Sequence, residues 1–206
     1  MLHLFKSKPV LKDLIPFNHV DIHSHLIPGI DDGAKTFEET LKLTKALQGF
    51  GIAQFITTPH VIQHVWDNSA DQIKSREATT VLELEKHQIN TPFRAAAEYM
   101  LDDNFSQLFQ SEQLLTLKKN YVLVEMSYIN APIQLYTFLF DLQVAGWRVA
   151  VGQKGCDRHM RPTRTTFERR FDTEKSSRIG QSVEIAFSLA DDFRQFDEDD
   201  PRGWWQ

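Results

Sequence analysis

Five short apolar runs partition this chain, and the stretches between them carry apolar residues at helical spacing. The runs span 19–27, 53–58, 93–99, 121–126 and 148–151. Unbroken apolar stretches of that length, such as Tyr121-Val122-Leu123-Val124, read as strands buried on both faces. Between the first two, Thr36-Phe37-Glu38-Glu39 is a capping box. It opens a helix with Phe37, Leu41, Thr44, Leu47 and Phe50 on one face, stopped at Gly49-Phe50-Gly51. Ser69 to His87 predicts a second helix with Ile73, Thr80, Val81 and Leu84 inward. Smaller helical pieces are expected near 103–109 and 111–118. Pro132 opens a helix that presents Leu135, Leu139 and Leu142 and ends at Gly146. Strand–helix alternation of this kind builds βα units around a parallel sheet, either a barrel or a doubly wound sheet. In both, ligands gather at the carboxyl ends of the strands.

Composition narrows the function classes. At 206 residues the chain is long enough for one domain with a sizeable core. A net charge of -5 argues against a general nucleic-acid footprint. No run has the length of a membrane span, and Met1 to Pro9 is too short and polar for a signal peptide, so a cytoplasmic location is expected. The single cysteine, Cys156, permits neither an intrachain disulfide nor a cysteine metal cluster.

The first strand carries the chemistry. Side chains alternate along a strand, so His23 and His25 share a face. A lone histidine is usually a satisfied core or surface residue. Two on one face, before the Gly-bounded acidic turn Gly29-Ile30-Asp31-Asp32-Gly33, read as the start of a metal site, neutral imidazole being a ligand for Zn, Mn or Fe. Asp21 alternates to the other face and reads as structural. Asp31-Asp32-Gly33 alone is a turn signature; downstream of the histidines it offers a carboxylate, and Asp32 is the favoured one. His60 follows Pro59 at the end of the second run, where a plain loop residue is the competing reading; nearby His64 reads as a loop residue. Glu98 follows Ala95-Ala96-Ala97, small residues that leave room for cations a carboxylate can bridge. Glu125 ends the fourth run, where an ion pair is an equal reading. Around Cys156 there is no phosphate-cradling loop, so it is not read as a nucleophile.

These residues carry a resemblance. Residues 21–35, Glu38-Glu39-Thr40, Thr57-Thr58-Pro59-His60, Ala96-Ala97-Glu98-Tyr99 and Leu123-Val124-Glu125 resemble, in order and spacing, the bacterial capsular and exopolysaccharide tyrosine-protein phosphatases of the polymerase-and-histidinol-phosphatase (PHP) superfamily. The resemblance runs over about residues 17–151. It implies a distorted (β/α)7 barrel with a cluster of divalent metals, Mn above all and Fe or Zn as alternatives, held by His23, His25, Asp32, His60 and Glu98. It implies hydrolysis of phosphotyrosine on a tyrosine kinase that controls polysaccharide export, with no protein nucleophile. Oligomerisation is compatible with it, and the sequence does not set it.

The pattern departs after the fifth run. The family calls there for a strand ending in His-Pro-Glu-Arg, whose His is a ligand and whose Arg meets phosphate, and later for an Asp-x-His pair. This chain reads Gly152-Gln153-Lys154-Gly155. The first 153 residues hold 10 Lys and 3 Arg and the last 53 hold 2 Lys and 8 Arg, while Leu189 is the sole leucine beyond residue 152. The expected organisation is therefore an incomplete PHP-like domain over 1–153 and an aberrant, poorly packed tail over 154–206, as a frameshift would produce. A short amphipathic helix over 183–193 is the one element expected in that tail. Two alternatives follow: a non-catalytic remnant that binds a partner, or a histidinol-phosphatase-like enzyme, which Gly29 to Lys35 disfavours.

Overall fold

The computed structural model describes residues 15–16, 18–111, 113–127 and 133–152. Several expectations lie outside those residues: most of the lead-in to residue 17, Pro132 as a helix opener, Cys156, the helix over 183–193 and the tail from 154.

Each apolar run becomes parallel strand. The first gives β1 (His19–Asp21), the second β2 (Ile52–Thr57) and β3 (His60–Val61), the third β4 (Phe93–Ala95) and β5 (Glu98–Met100), the fourth β6 (Tyr121–Glu125) and the fifth β7 (Arg148–Val151). The helices are α1 (Phe37–Gln48), α2 (Ala70–Lys86), α3 (Asp103–Gln110) and α4 (Leu135–Val144). One sheet has the order β1-β2-β4 and the other β3-β5-β6-β7, with every pairing parallel.

The two sheets are one path twice interrupted. Pro59 has no N–H to give a ladder, and it separates β2 from β3. Its carbonyl still accepts from the Glu98 N–H at 3.0 Å, and the Ala96 N–H donates to the Thr57 carbonyl at 2.9 Å. The five runs therefore neighbour one another in chain order. A doubly wound sheet reverses its strand order at a switch point; the described strands show no reversal.

The buried residues fall into two sets. Phe55, Phe93, Val122, Val124 and Val149 pack with Ile73 and Leu84 of α2, Phe105 of α3 and Phe138, Leu139 and Leu142 of α4. Val20, Ile22, Ile56, Ala96, Leu123 and Ala150 form a second cluster, one or two from each run and none from a helix. The sheet thus has a helix-covered face and a face on which the runs pack against one another.

Local chemistry explains most boundaries. Thr36 caps α1, its hydroxyl accepting from the Glu39 N–H at 3.3 Å. The reciprocal half of the expected capping box is absent, because the Glu39 carboxylate accepts instead from the Lys35 N–H at 2.7 Å. Ser69 and Gln72 form a complete capping box on α2. Phe50 is an exposed residue beyond α1, not part of its inward face, and Thr40 and Thr44 are the buried residues there.

Two expectations need correction. The strand expected over 19–27 ends at Asp21, so His23 and His25 sit beyond it. Past that point the segment is held by single bonds: the Ser24 carbonyl accepts from the Thr58 N–H at 2.7 Å and the Thr57 hydroxyl at 2.8 Å. The helical piece expected near 111–118 is irregular over 113–118. There the Leu115 N–H donates to the Tyr99 hydroxyl at 2.7 Å, and Leu117 is buried among the strand residues. These tertiary contacts displace the local helical pattern.

Candidate metal centre

The carboxyl ends of the runs bring together all five sequence-predicted residues. His23 and His25 follow β1, His60 opens β3, Glu98 opens β5, and Asp32 arrives on the acidic turn. That turn is pinned by close approach: a Cβ on Gly33 would lie 2.3 Å from the Cβ and carbonyl oxygen of His25, so only glycine fits without a shift.

Glu98 is at the centre. Its Oε1 lies 3.1 Å from Nε2 of His23, and its Oε2 lies 3.5 Å from Nε2 of His25 and 3.3 Å from Nδ1 of His60. Nε2 of His60 lies 3.4 Å from Asp32 Oδ1. Three groups of potential ligand atoms result: His23, His25 and Glu98; His25, Asp32 and His60; His60, Glu98 and Glu125. They overlap through His25, His60 and Glu98, so the arrangement is one continuous cluster.

Glu125, read in the sequence as equally an ion-pair residue, belongs to it. Its Oε1 lies 2.7 Å from Nδ1 of His60, both side chains buried. The signal in the sequence is a buried apolar strand that ends in a carboxylate, as β6 does at Glu125. Asp31, ranked below Asp32, is buried and turned inward. It accepts a 2.7 Å hydrogen bond from Nδ1 of His25 and others from the N–H groups of Gly33 and His60, at 2.9 and 3.0 Å. Nδ1 is thereby committed and Nε2 of His25 is presented to Glu98, the way an outer carboxylate orients a metal-binding imidazole. Asp21 accepts from the His23 N–H at 3.3 Å.

The electrostatics follow. Burial works against charge on Glu98, but the close imidazoles of His23, His25 and His60 outweigh it and hold its carboxyl down at about 2. Burial likewise disfavours a charged His25, yet the Asp31 and Glu98 carboxylates push the imidazole up to about 9. Asp31 is held below the ordinary carboxylate range, burial being overcome by His25 and the backbone N–H groups.

The residues present fit a set of bound cations. Nδ1 and Nε2 of His60, Oε2 of Glu98 and Oε1 of Glu125 are buried and make no hydrogen bond of acceptable geometry, although they crowd together. Buried polar atoms left this way are costly, and convergent imidazole and carboxylate lone pairs are the donor set of a divalent transition metal. Gly152, directly after β7, adds space and no side chain: a Cβ there would lie 2.1 Å from Glu98 Oε1 and 3.0 Å from Cε1 of His23.

Known proteins share this frame. The chain is 26% identical over 143 residues to the tyrosine-protein phosphatase YwqE of Bacillus subtilis, covering 69% of this chain and 56% of that protein. It is 25% identical over 128 residues to the tyrosine-protein phosphatase CpsB of Streptococcus agalactiae, covering 62% and 53%. It thus spans about half the length of the curated relatives it matches. A solved structure from work on YwqE of Bacillus subtilis and CpsB of Streptococcus pneumoniae, described as unique metal-dependent tyrosine phosphatases, superposes with a TM-score of 0.60 at 26% identity. It covers 64% of this chain and 54% of that one. The family profile described as capsular polysaccharide synthesis, CpsB/CapC, matches residues 19–153, from β1 through β7 and every residue of the cluster. The chain belongs to that CpsB/CapC family.

Proposed function

We propose that this chain holds a cluster of divalent cations and uses it to hydrolyse phosphotyrosine in protein substrates. The observation that carries this reading is the sharing of His25, His60 and Glu98 among three potential ligand groups. His23, His25, Asp32, His60 and Glu98 are the proposed ligands, joined by Glu125. Manganese is the proposed metal, with iron or zinc as alternatives. The five sequentially ordered runs are proposed to be an arc of a PHP-type (β/α)7 barrel, with residues 1–153 as the metal-binding domain. The substrate is proposed to be a tyrosine kinase of polysaccharide export, and the location of this chain the cytoplasm.

Divalent cations in such a site supply an acidified water at neutral pH and positive charge opposite the phosphoryl oxygens. The chain's own residues prepare that chemistry. Asp31 fixes the tautomer of His25 by accepting from Nδ1. Glu98 stays ionised even when acidified well below neutrality, with its two oxygens directed to different imidazoles. No protein nucleophile is required.

A second reading, metal binding without efficient turnover, is favoured by one observation. Among the described residues the arginines are Arg76 on α2, Arg94 in the middle of β4, where it donates to the Thr116 carbonyl, and Arg148 at the start of β7. None is placed to clamp a phosphoryl group. One assay decides between the readings. The Mn2+-loaded chain is expected to release phosphate from a phosphotyrosine peptide, and His25→Ala and Glu98→Ala to abolish release. Tight Mn2+ binding without phosphate release establishes the second reading; failure to bind metal sinks both.

A further inference from the structure

His60 is 1% exposed and has two rings against it. The His25 imidazole lies 4.4 Å away, centroid to centroid, tilted by 35°. The indole of Trp66 stacks at 4.9 Å with only 12° between the planes. Neither nitrogen of His60 makes a hydrogen bond of acceptable geometry, so no hydrogen bond from the ring sets its rotation.

The chain makes a specific detour to bring Trp66 there. After β3 it turns back on itself. The Ile62 N–H donates to the Trp66 carbonyl at 3.0 Å and the Trp66 N–H to the Ile62 carbonyl at 2.9 Å, closing a turn in which His64 takes a φ of 63°. The loop is then tied to the site: the Asn68 amide donates to the His60 carbonyl at 2.9 Å and the Ile30 carbonyl at 3.1 Å. These bonds use backbone groups and the Asn68 side chain. Trp66 also belongs to neither buried cluster. Its ring lies against the His60 imidazole.

We propose that Trp66 is a positioning residue: its indole fixes the plane of the His60 imidazole so that the two ring nitrogens face Asp32 on one side and Glu98 and Glu125 on the other. This role rests on the metal reading above. Aromatic stacking resists tilting of the ring and leaves its edge open, where a neutral imidazole presents one lone pair to a cation and one N–H to a carboxylate.

The test compares full-length wild type with Trp66→Leu and Trp66→Phe. Mn2+ affinity is measured by calorimetry, and the His60 ring protons are followed by NMR in the metal-free chain. Trp66→Leu is expected to weaken Mn2+ binding about tenfold, the low end of what orienting partners contribute. It should also remove an upfield ring-current displacement of the His60 protons. Trp66→Phe, which keeps an aromatic face, should retain most of both. Wild-type Mn2+ affinity in Trp66→Leu, or His60 protons unmoved between wild type and that variant, overturns the role. Equal loss of affinity in the Phe and Leu variants overturns it as well, since stacking would then not be the cause. A wild-type chain that takes up no Mn2+ overturns the metal reading and this role with it. A wild-type chain that binds, with a leucine variant that binds equally, overturns this role alone.

Discussion

Asp31 and Asp32 are neighbours in the chain with different environments. Asp32 has a side chain 39% exposed and 3.4 Å from His60, while Asp31 is buried against Nδ1 of His25. A carboxylate behind a metal-binding imidazole fixes its tautomer and raises its basicity. Asp31→Asn keeps the shape and removes the charge. Above pH 9, where no proton competes on His25, it is expected to lower Mn2+ affinity roughly 10- to 100-fold, and it should let the His25 imidazole fall from about 9 toward its ordinary 6.5. Calorimetry reads the first and an NMR titration of His25 in the metal-free protein reads the second. Unchanged values would remove Asp31 from the site's working parts.

The elements position these residues at strand ends, and β7 shows how narrow the fit is. Its pairing with β6 continues through the Gly152 N–H, which donates to the Val124 carbonyl at 2.8 Å. That bond holds the Gly152 backbone against Glu98, where even a methyl group would come within 2.1 Å of the carboxylate oxygen. Gly152→Ala is therefore expected to push Glu98 out of place and cut Mn2+ affinity by about tenfold or more, on the scale of lost orienting contacts. Wild-type affinity in that variant would mean β7 does not close against the cluster. The interrupted strands serve the same end. Pro59 breaks the ladder directly before His60, and Ala96-Ala97 lie between strands directly before Glu98. The chain can change direction at both ligand positions without losing its parallel neighbours.

At the scale of the whole molecule, the cluster couples folding to protons and cations. His25 is raised from 6.5 to about 9 by its carboxylate partners, so its contribution to metal-free stability is complete below about 6.5 and fades as pH rises through 9. Glu98 is lowered from 4.5 to about 2, so its contribution is present above about 4.5 and lost as pH falls through 2. Denaturation of the chelator-treated chain is expected to show these two groups acting together at full strength only between about 4.5 and 6.5. Metal binding has the opposite trend on the alkaline side. A cation competes with the proton on His25, so Mn2+ affinity should rise from pH 6.5 toward 9. At neutral pH, free Mn2+ at a hundred times its dissociation constant should stabilise the chain by about 2.7 kcal/mol. A chelator should reverse that shift, and His60→Ala should remove it. A melting temperature indifferent to Mn2+ and chelator would rule out a preformed metal site.

The sequence determined the parallel βα order, most helix boundaries and the five proposed ligands, because period, caps and breakers are local. Ser69 and Gln72 announce α2 within four residues, and His23 and His25 need only their spacing to be noticed. The family profile's match ends at residue 153. Tertiary structure decided the rest, and the reason is distance along the chain. Glu125 reaches His60 across 65 residues, Thr58 reaches Ser24 across 34, and Leu117 gives up a helical pattern for a place among strand residues. Which of two adjacent aspartates turns inward, and which tryptophan comes to rest on His60, depended on what the folded chain placed beside them.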